Sequence, residues 1–353
     1  MRRPKGAEDQ GDWDLPEAED PLAEEDLWFL PGPMDADEDS AGGFAAPLPR
    51  APAPEGEEIT DWRRAEAGQA AALARVAARL GALDDRLMRG PEGWRQRLAL
   101  IEASELSWLA GDRISVDRLG LWLALRSGAA EAESAAMQRA AWAFRRLTGG
   151  AGPIGDLPGF LGRHASEGAG LLAERLAGFA ALLAQAEDLH PVTRGCLAYR
   201  FWPLAGIGPE GDPVEGIVLA ARLAAEDLQG GAVFAPVAMG GPAMLRRAGP
   251  AADRLAHWLS GMEQAVLRMM RQLDGLEQWE ARAVKATAGL SGRTPARLIR
   301  ALADWPYLSA PMAEEITGSS RAAVQRNLTW MEAAGLVSEL TGQERFRFWK
   351  AAL

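Results

Sequence analysis

Between residues 59 and 289 apolar side chains return every three or four positions, in segments separated by short breaks rich in Gly and Pro. That period belongs to amphipathic helices, since a half-buried strand alternates every second residue. The spacing predicts helices over 59–88, 94–109, 116–127, 130–147, 170–189, 195–204, 213–228, 251–273 and 276–289. In the first, Leu73, Val76, Leu80, Leu83 and Leu87 make one stripe, Thr60 is placed to cap the start, and Gly90-Pro91 ends it. No alternating segment interrupts the series, so residues 57–292 are expected to form an all-α domain.

The last sixty residues carry a different pattern. After Gly292-Arg293-Thr294-Pro295, short amphipathic helices are expected over 296–305 and 311–316, followed by a tight turn at Gly318-Ser319. Ser319 or Ser320 can N-cap a third helix running to 334, where Gly335 supplies the stop. Residues 336–340 and 345–349 flank Thr341-Gly342-Gln343-Glu344 as a β-hairpin. Three helices and a terminal hairpin over 293–353 describe a winged helix-turn-helix. In the hairpin, alternation would send Phe346 and Phe348 into the core and Arg345 and Arg347 to the opposite side.

The third helix separates its faces as a DNA-reading helix must. Val324, Leu328 and Met331 form an inward stripe, while Arg321 and Gln325 stand one turn apart near the N-terminal end. Arg donates two bonds to guanine and Gln pairs with adenine, each worth roughly 1–3 kcal/mol of discrimination. Arg326, Arg345 and Arg347 suit phosphates, and Ser319, Ser320 and Gln343 complete the expected DNA-facing set. With 8 basic against 6 acidic groups over 293–353, one such module binds weakly, so a homodimer is expected. Winged helices also dock proteins, which keeps an adaptor role open.

The charge is unevenly placed. The whole chain has a net charge of −11, but residues 1–60 alone hold 17 acids against 4 bases, leaving 34 bases and 32 acids in the rest. Acid, Pro and Gly without a period predict disorder over residues 1–56. Within that segment Trp28 and Phe29 form an apolar island that either docks a partner protein or packs on the chain's own domain. Removing the acidic segment is expected to tighten non-specific DNA binding. The single cysteine, Cys196, excludes an intramolecular disulfide and a multi-Cys zinc site. No metal or cofactor is expected. Arg2, Arg3 and Lys5 lead into acid, not an apolar run, so no signal peptide is expected either, and no membrane span, which makes the chain cytoplasmic. The sequence Gly150-Ala151-Gly152-Pro153-Ile154-Gly155 fits G-x-G-x-x-G by letter but follows a helix, not a strand, and reads as a helix connection.

Residues Ser320-Arg321, Arg326-Asn327-Leu328, Gly335-Leu336-Val337, Glu339, Thr341-Gly342, Arg345 and Trp349 together resemble the winged helix that ends many bacterial Fic-domain proteins. The layout over most of 90–353 is similar to an alphaproteobacterial family that pairs a Fic-like helical domain with a helix-turn-helix. Leu189-His190-Pro191-Val192-Thr193-Arg194-Gly195 falls where Fic proteins carry H-P-F-x-[DE]-G-N-G-R. The resemblance implies a catalytic His at position 190, a general base for a target hydroxyl, beside a loop that cradles nucleotide phosphates and magnesium. Only His190, Pro191 and Gly195 match. Arg194 replaces the metal-binding acid, Cys196 the Asn, Leu197 the second Gly and Ala198 the Arg. A cation in place of the carboxylate removes a magnesium ligand. Ser107-Trp108-Leu109-Ala110-Gly111 resembles the family's self-inhibitory S-x-x-x-E-G helix, one position off its spacing and with Ala110 in place of the Glu. The expectation is a sequence-specific transcriptional regulator with a degenerate Fic-like domain for dimerisation or ligand sensing. The alternatives are an AMPylating enzyme using His190 and a protein-docking adaptor.

Overall fold

The computed structural model describes residues 58–125, 131–150, 152–163, 169–342 and 346–353. The acidic segment over 1–56, with Trp28 and Phe29, lies outside them. The described chain is mainly helical with one small antiparallel sheet.

The helical part opens with α1 (Ile59–Gly68) and α2 (Ala70–Arg89), two helices where one was expected. The stripe Leu73, Val76, Leu80, Leu83 and Leu87 of α2 is buried as its spacing demands. There follow α3 (Glu92–Leu109), α4 (Val116–Leu125), α5 (Glu131–Thr148), α6 (Leu157–Leu161), α7 (Ala169–Gln185), α8 (Pro191–Ala205), α9 (Val214–Leu223), α10 (Gly241–Met244) and α11 (Ala251–Ala286). The expected pair of helices over 251–289 is one continuous helix, α11, spanning roughly 54 Å at 1.5 Å per residue. Its apolar stripe runs unbroken through Met269, Leu273, Leu276, Trp279 and Ala283, so burial carries the helix past Gly275.

α8 and α9 form the centre and are buried on most sides. Gly195 makes their close approach possible, because a Cβ there would lie 2.8 Å from the Ala220 carbonyl oxygen. Two buried carboxylates fasten the 229–239 stretch that follows. Asp84 accepts the amides of Gln229 at 2.8 Å and Ala232 at 2.6 Å. Glu102 accepts those of Ala238 at 2.5 Å and Met239 at 3.1 Å. Burial pushes the Glu102 carboxyl up to about 8, against the downward pull of these amides and that of Val237.

The chain then makes α12 (Thr294–Asp304), β1 (Leu308–Ser309), α13 (Ala310–Thr317), α14 (Arg321–Ala333), β2 (Val337–Glu339) and β3 (Phe348–Ala351). β3 is central, pairing antiparallel with β1 (Leu308 opposite Trp349) and β2 (Val337 opposite Ala351). β1 is a strand the sequence did not announce. Phe348 is buried as expected. Phe346 is not: it is 76% exposed with φ +58°, because the ladder ends at Glu339 and Trp349 and its alternation no longer governs residue 346.

Residues 56–353 form one compact unit. The C-terminal elements are hydrogen-bonded to the helices before them. Trp94 Nε1 donates to the Ala303 carbonyl at 3.2 Å, and the buried Arg97 donates to those of Leu302 and Trp305 at 3.2 and 2.8 Å. The Tyr307 hydroxyl donates to the Val116 carbonyl at 2.9 Å, and Trp279 Nε1 to that of Leu336 at 2.7 Å. The Gly150–Gly155 stretch follows α5, and Arg222 donates to the carbonyls of Arg146, Gly149 and Gly150. A phosphate loop presents N–H groups; here carbonyls face a cation.

Candidate nucleic-acid interface

α14 is set by a local signal and a buried stripe. Gly318 turns the chain with φ +59°, and Ser320 caps the helix, its Oγ accepting the Ala323 amide at 3.4 Å. Ser319 is one residue outside, with its Oγ 3.0 Å from Thr294 Oγ1 at the start of α12. Arg297 of α12 donates to the Thr317 carbonyl at 2.5 Å, so the start of α12 is tied to the turn before α14. Val324, Leu328 and Met331 are fully buried.

At 3.6 residues per turn, that stripe fixes which side chains face out. Arg326 stands opposite it with Ala322 and Trp330, and Arg321 and Gln325 stand on one flank. Arg321 and Arg326 are exposed and Gln325 is half-buried. Neither arginine has a carboxylate partner among the described residues, nor has the exposed Arg293 beside Thr294. The structure thus gathers Ser319, Ser320, Arg321, Gln325 and Arg326 around one helix start. Arg293 and Arg297 border the same turn, brought there by the Thr294–Ser319 and Arg297–Thr317 contacts, which are invisible in linear sequence.

Arg347 is placed differently. Its guanidinium faces Glu332 at 3.2 Å and Glu339 at 3.9 Å and lies over the Trp349 ring at 4.9 Å. Burial alone would raise the Glu339 carboxyl. Hydrogen bonds from the Thr341 hydroxyl and amide and from the Gly342 amide, with the Arg347 charge, hold it below its usual range instead. Gln343 and Arg345 lie outside the described residues.

The His190 region is elsewhere, at the start of α8. The helix begins at Pro191, four residues before the expected start, so the positions matched to a phosphate loop are helical. His190 Nδ1 accepts the Val192 amide at 3.1 Å, and the His190 carbonyl accepts those of Thr193 at 2.8 Å and Arg194 at 3.0 Å. Its own amide donates to Glu66 Oε2 at 3.0 Å. Arg194 pairs with Glu226 at 2.6 Å, and Cys196 is buried, which pushes its thiol up. Burial lowers the His190 imidazole from its ordinary 6.5, with Glu66 and Asp227 pulling upward. A groove of about 510 Å³ runs past His190, Asp84, Asp85 and Asp227. Among the described residues, no group of three or more His, Cys, Asp or Glu could hold a metal ion, and no helix is long and apolar enough to cross a membrane. Neither a scan of protein-family models nor a search of curated proteins returns a match to this chain.

Proposed function

We propose that residues 293–353 form a winged helix-turn-helix that binds double-stranded DNA, with α14 as its reading helix. One observation carries this reading: behind the Ser320 cap Arg326 faces outward with Arg321 and Gln325 on the flank beside it, and neither arginine has a carboxylate partner among the described residues. Arg321 and Gln325 read base edges, Arg326 lies centrally on the outward face, and Arg293 takes phosphate at the flank. Arg347 ties the chain before β3 to α14 through Glu332 and to β2 through Glu339, and contributes little to phosphate. The protein is then a cytoplasmic transcriptional regulator acting as a homodimer, and its helical part, Fic-like by resemblance, serves dimerisation or ligand sensing.

Protein docking is a second reading, favoured by Trp330, 38% exposed and one turn beyond Arg326 on the same helix. Nucleotidyl transfer through His190 has less support. The amides of Val192, Thr193 and Arg194 are spent on His190 and the Arg194 guanidinium on Glu226, so the donors a phosphate would need are engaged.

Affinity for a random duplex measured against salt concentration separates the first two. DNA binding predicts a falling log–log line whose slope Arg326→Ala flattens by about one unit. A docking module predicts no salt-sensitive DNA affinity, and that result would end the DNA reading.

A further inference from the structure

Beside the C-terminal end of α8 lies a groove of about 450 Å³, walled by Arg175 of α7, Trp202 and Pro203 of α8, the 206–213 turn, and Arg247. Its size falls within the range of small-molecule sites. Donors without acceptors collect there. Arg247 lies over the Tyr199 ring at 4.3 Å, its Nε is buried with no partner, and no carboxylate pairs with it among the described residues. Trp202 is 2% exposed and its indole N–H has no acceptor. Gly208, itself a wall of the groove, stands next to that N–H: a Cβ on it would lie 2.6 Å from Trp202 Nε1. Arg175 gives one N–H to the Gly206 carbonyl at 2.8 Å, and no other partner for it occurs among the described residues.

A buried donor left unpaired costs about 1–3 kcal/mol, and Trp202 Nε1 and Arg247 Nε are two such donors beside one groove; the exposed Arg175 adds a guanidinium with no ion pair among the described residues. The local charge says which kind of acceptor suits them. Of the two acids on the turn, Asp212 accepts the Val214 amide at 2.8 Å and lies 3.8 Å from Arg139, which is itself paired with Asp112 at 2.7 Å. Glu210 and Asp212 thus match the charges of Arg175 and Arg247, so a ligand there adds its charge to a balanced site. A monoanion adds the least negative charge beside Glu210, whereas a phosphate dianion would crowd it. Planar guanidinium forks match a carboxylate bidentately. Pro203, Pro209 and Pro213 offer rigid apolar walls to the rest of a ligand.

We propose that this groove binds a small organic monocarboxylate, received by Arg247 and Arg175 with the Trp202 indole as a further donor. The site uses none of the residues assigned to DNA and holds whether or not α14 reads bases.

Benzoate is the probe, with benzamide as its neutral counterpart and inorganic phosphate as the competing anion. The indole N–H signals of the 13 tryptophans are followed by proton–nitrogen NMR on the full chain, and Trp202→Phe identifies the signal that matters. Benzoate is expected to shift the Trp202 signal to saturation at roughly millimolar concentration or below. Benzamide and phosphate leave it in place, and Arg247→Ala and Arg175→Ala each weaken benzoate roughly tenfold or more. Thermal unfolding checks each variant. Should Arg247→Ala fail to fold, Arg247→Lys, which keeps the charge and loses the fork, carries the test with a smaller but measurable loss. An unmoved Trp202 signal, an equal response to benzamide, or unchanged affinity in the arginine variants overturns the site. Phosphate binding tighter than benzoate overturns the assignment to monocarboxylates.

Discussion

α8 and α14 begin alike and are used in opposite ways. Each is capped by a side chain, His190 on the Val192 amide and Ser320 on the Ala323 amide. At the start of α8 the polar groups are matched inside the protein: His190 with Glu66 and the first amides, Arg194 with Glu226. Around α14 the caps are local and the charges face out, with Arg321 and Arg326 free of carboxylates among the described residues. A polar group already matched explains the fold; a charge exposed and unmatched is where a partner can act. The sequence motif that looked most chemical, at His190, belongs to the first kind.

This contrast predicts that changes near α8 appear in stability and changes on α14 in binding. Asp84→Ala, in the groove beside His190, strands the amides of Gln229 and Ala232 and should lower the unfolding free energy by about 3 kcal/mol in urea titrations. The folded fraction should bind DNA as before. A variant of unchanged stability would mean that this acceptor does not hold the 229–232 segment.

Arg321→Ala should cost roughly 1–3 kcal/mol at one base position and leave the thermal midpoint in place. Competition with single-base variants of a bound site measures this. An equal loss on every sequence would move Arg321 from base to phosphate.

His190→Ala should cost about 1 kcal/mol of stability for the lost cap, with DNA binding untouched. The effect depends on pH with a definite sign. The folded imidazole sits below its ordinary 6.5, so the unfolded chain takes up a proton first as pH falls. The stabilisation by His190 is therefore full above 6.5 and is lost as pH drops from there through the folded value. His190→Asn keeps a capping side chain and lacks this titration, so wild type should lose stability against it on acidification. A constant difference across that window would contradict the placement of His190 as a neutral cap.

The sequence made much of the fold legible because helical periodicity is local. The α2 stripe and the α14 cap follow from residues three and four apart, and both are where expected. What it hid was non-local. Gly275 looked like a break because nothing in the sequence shows the core that α11 crosses. Two residues of β1 are too few to have a period. Phe346 was read by alternation past the point where pairing stops. The α14 face was legible from a helical wheel, whereas the capture of Arg347 by Glu332 and Glu339, and the approach of Thr294 to Ser319, depend on folding of the whole module.

The central claim is that the outward face of α14 reads DNA sequence. Sheared genomic DNA selected by the full-length protein at about 150 mM salt, beside the Arg321→Ala, Gln325→Ala double variant, tests it most directly. A few enriched fragments sharing a short inverted repeat, lost in the variant, are the expected result. Identical recovery by the two proteins would contradict it.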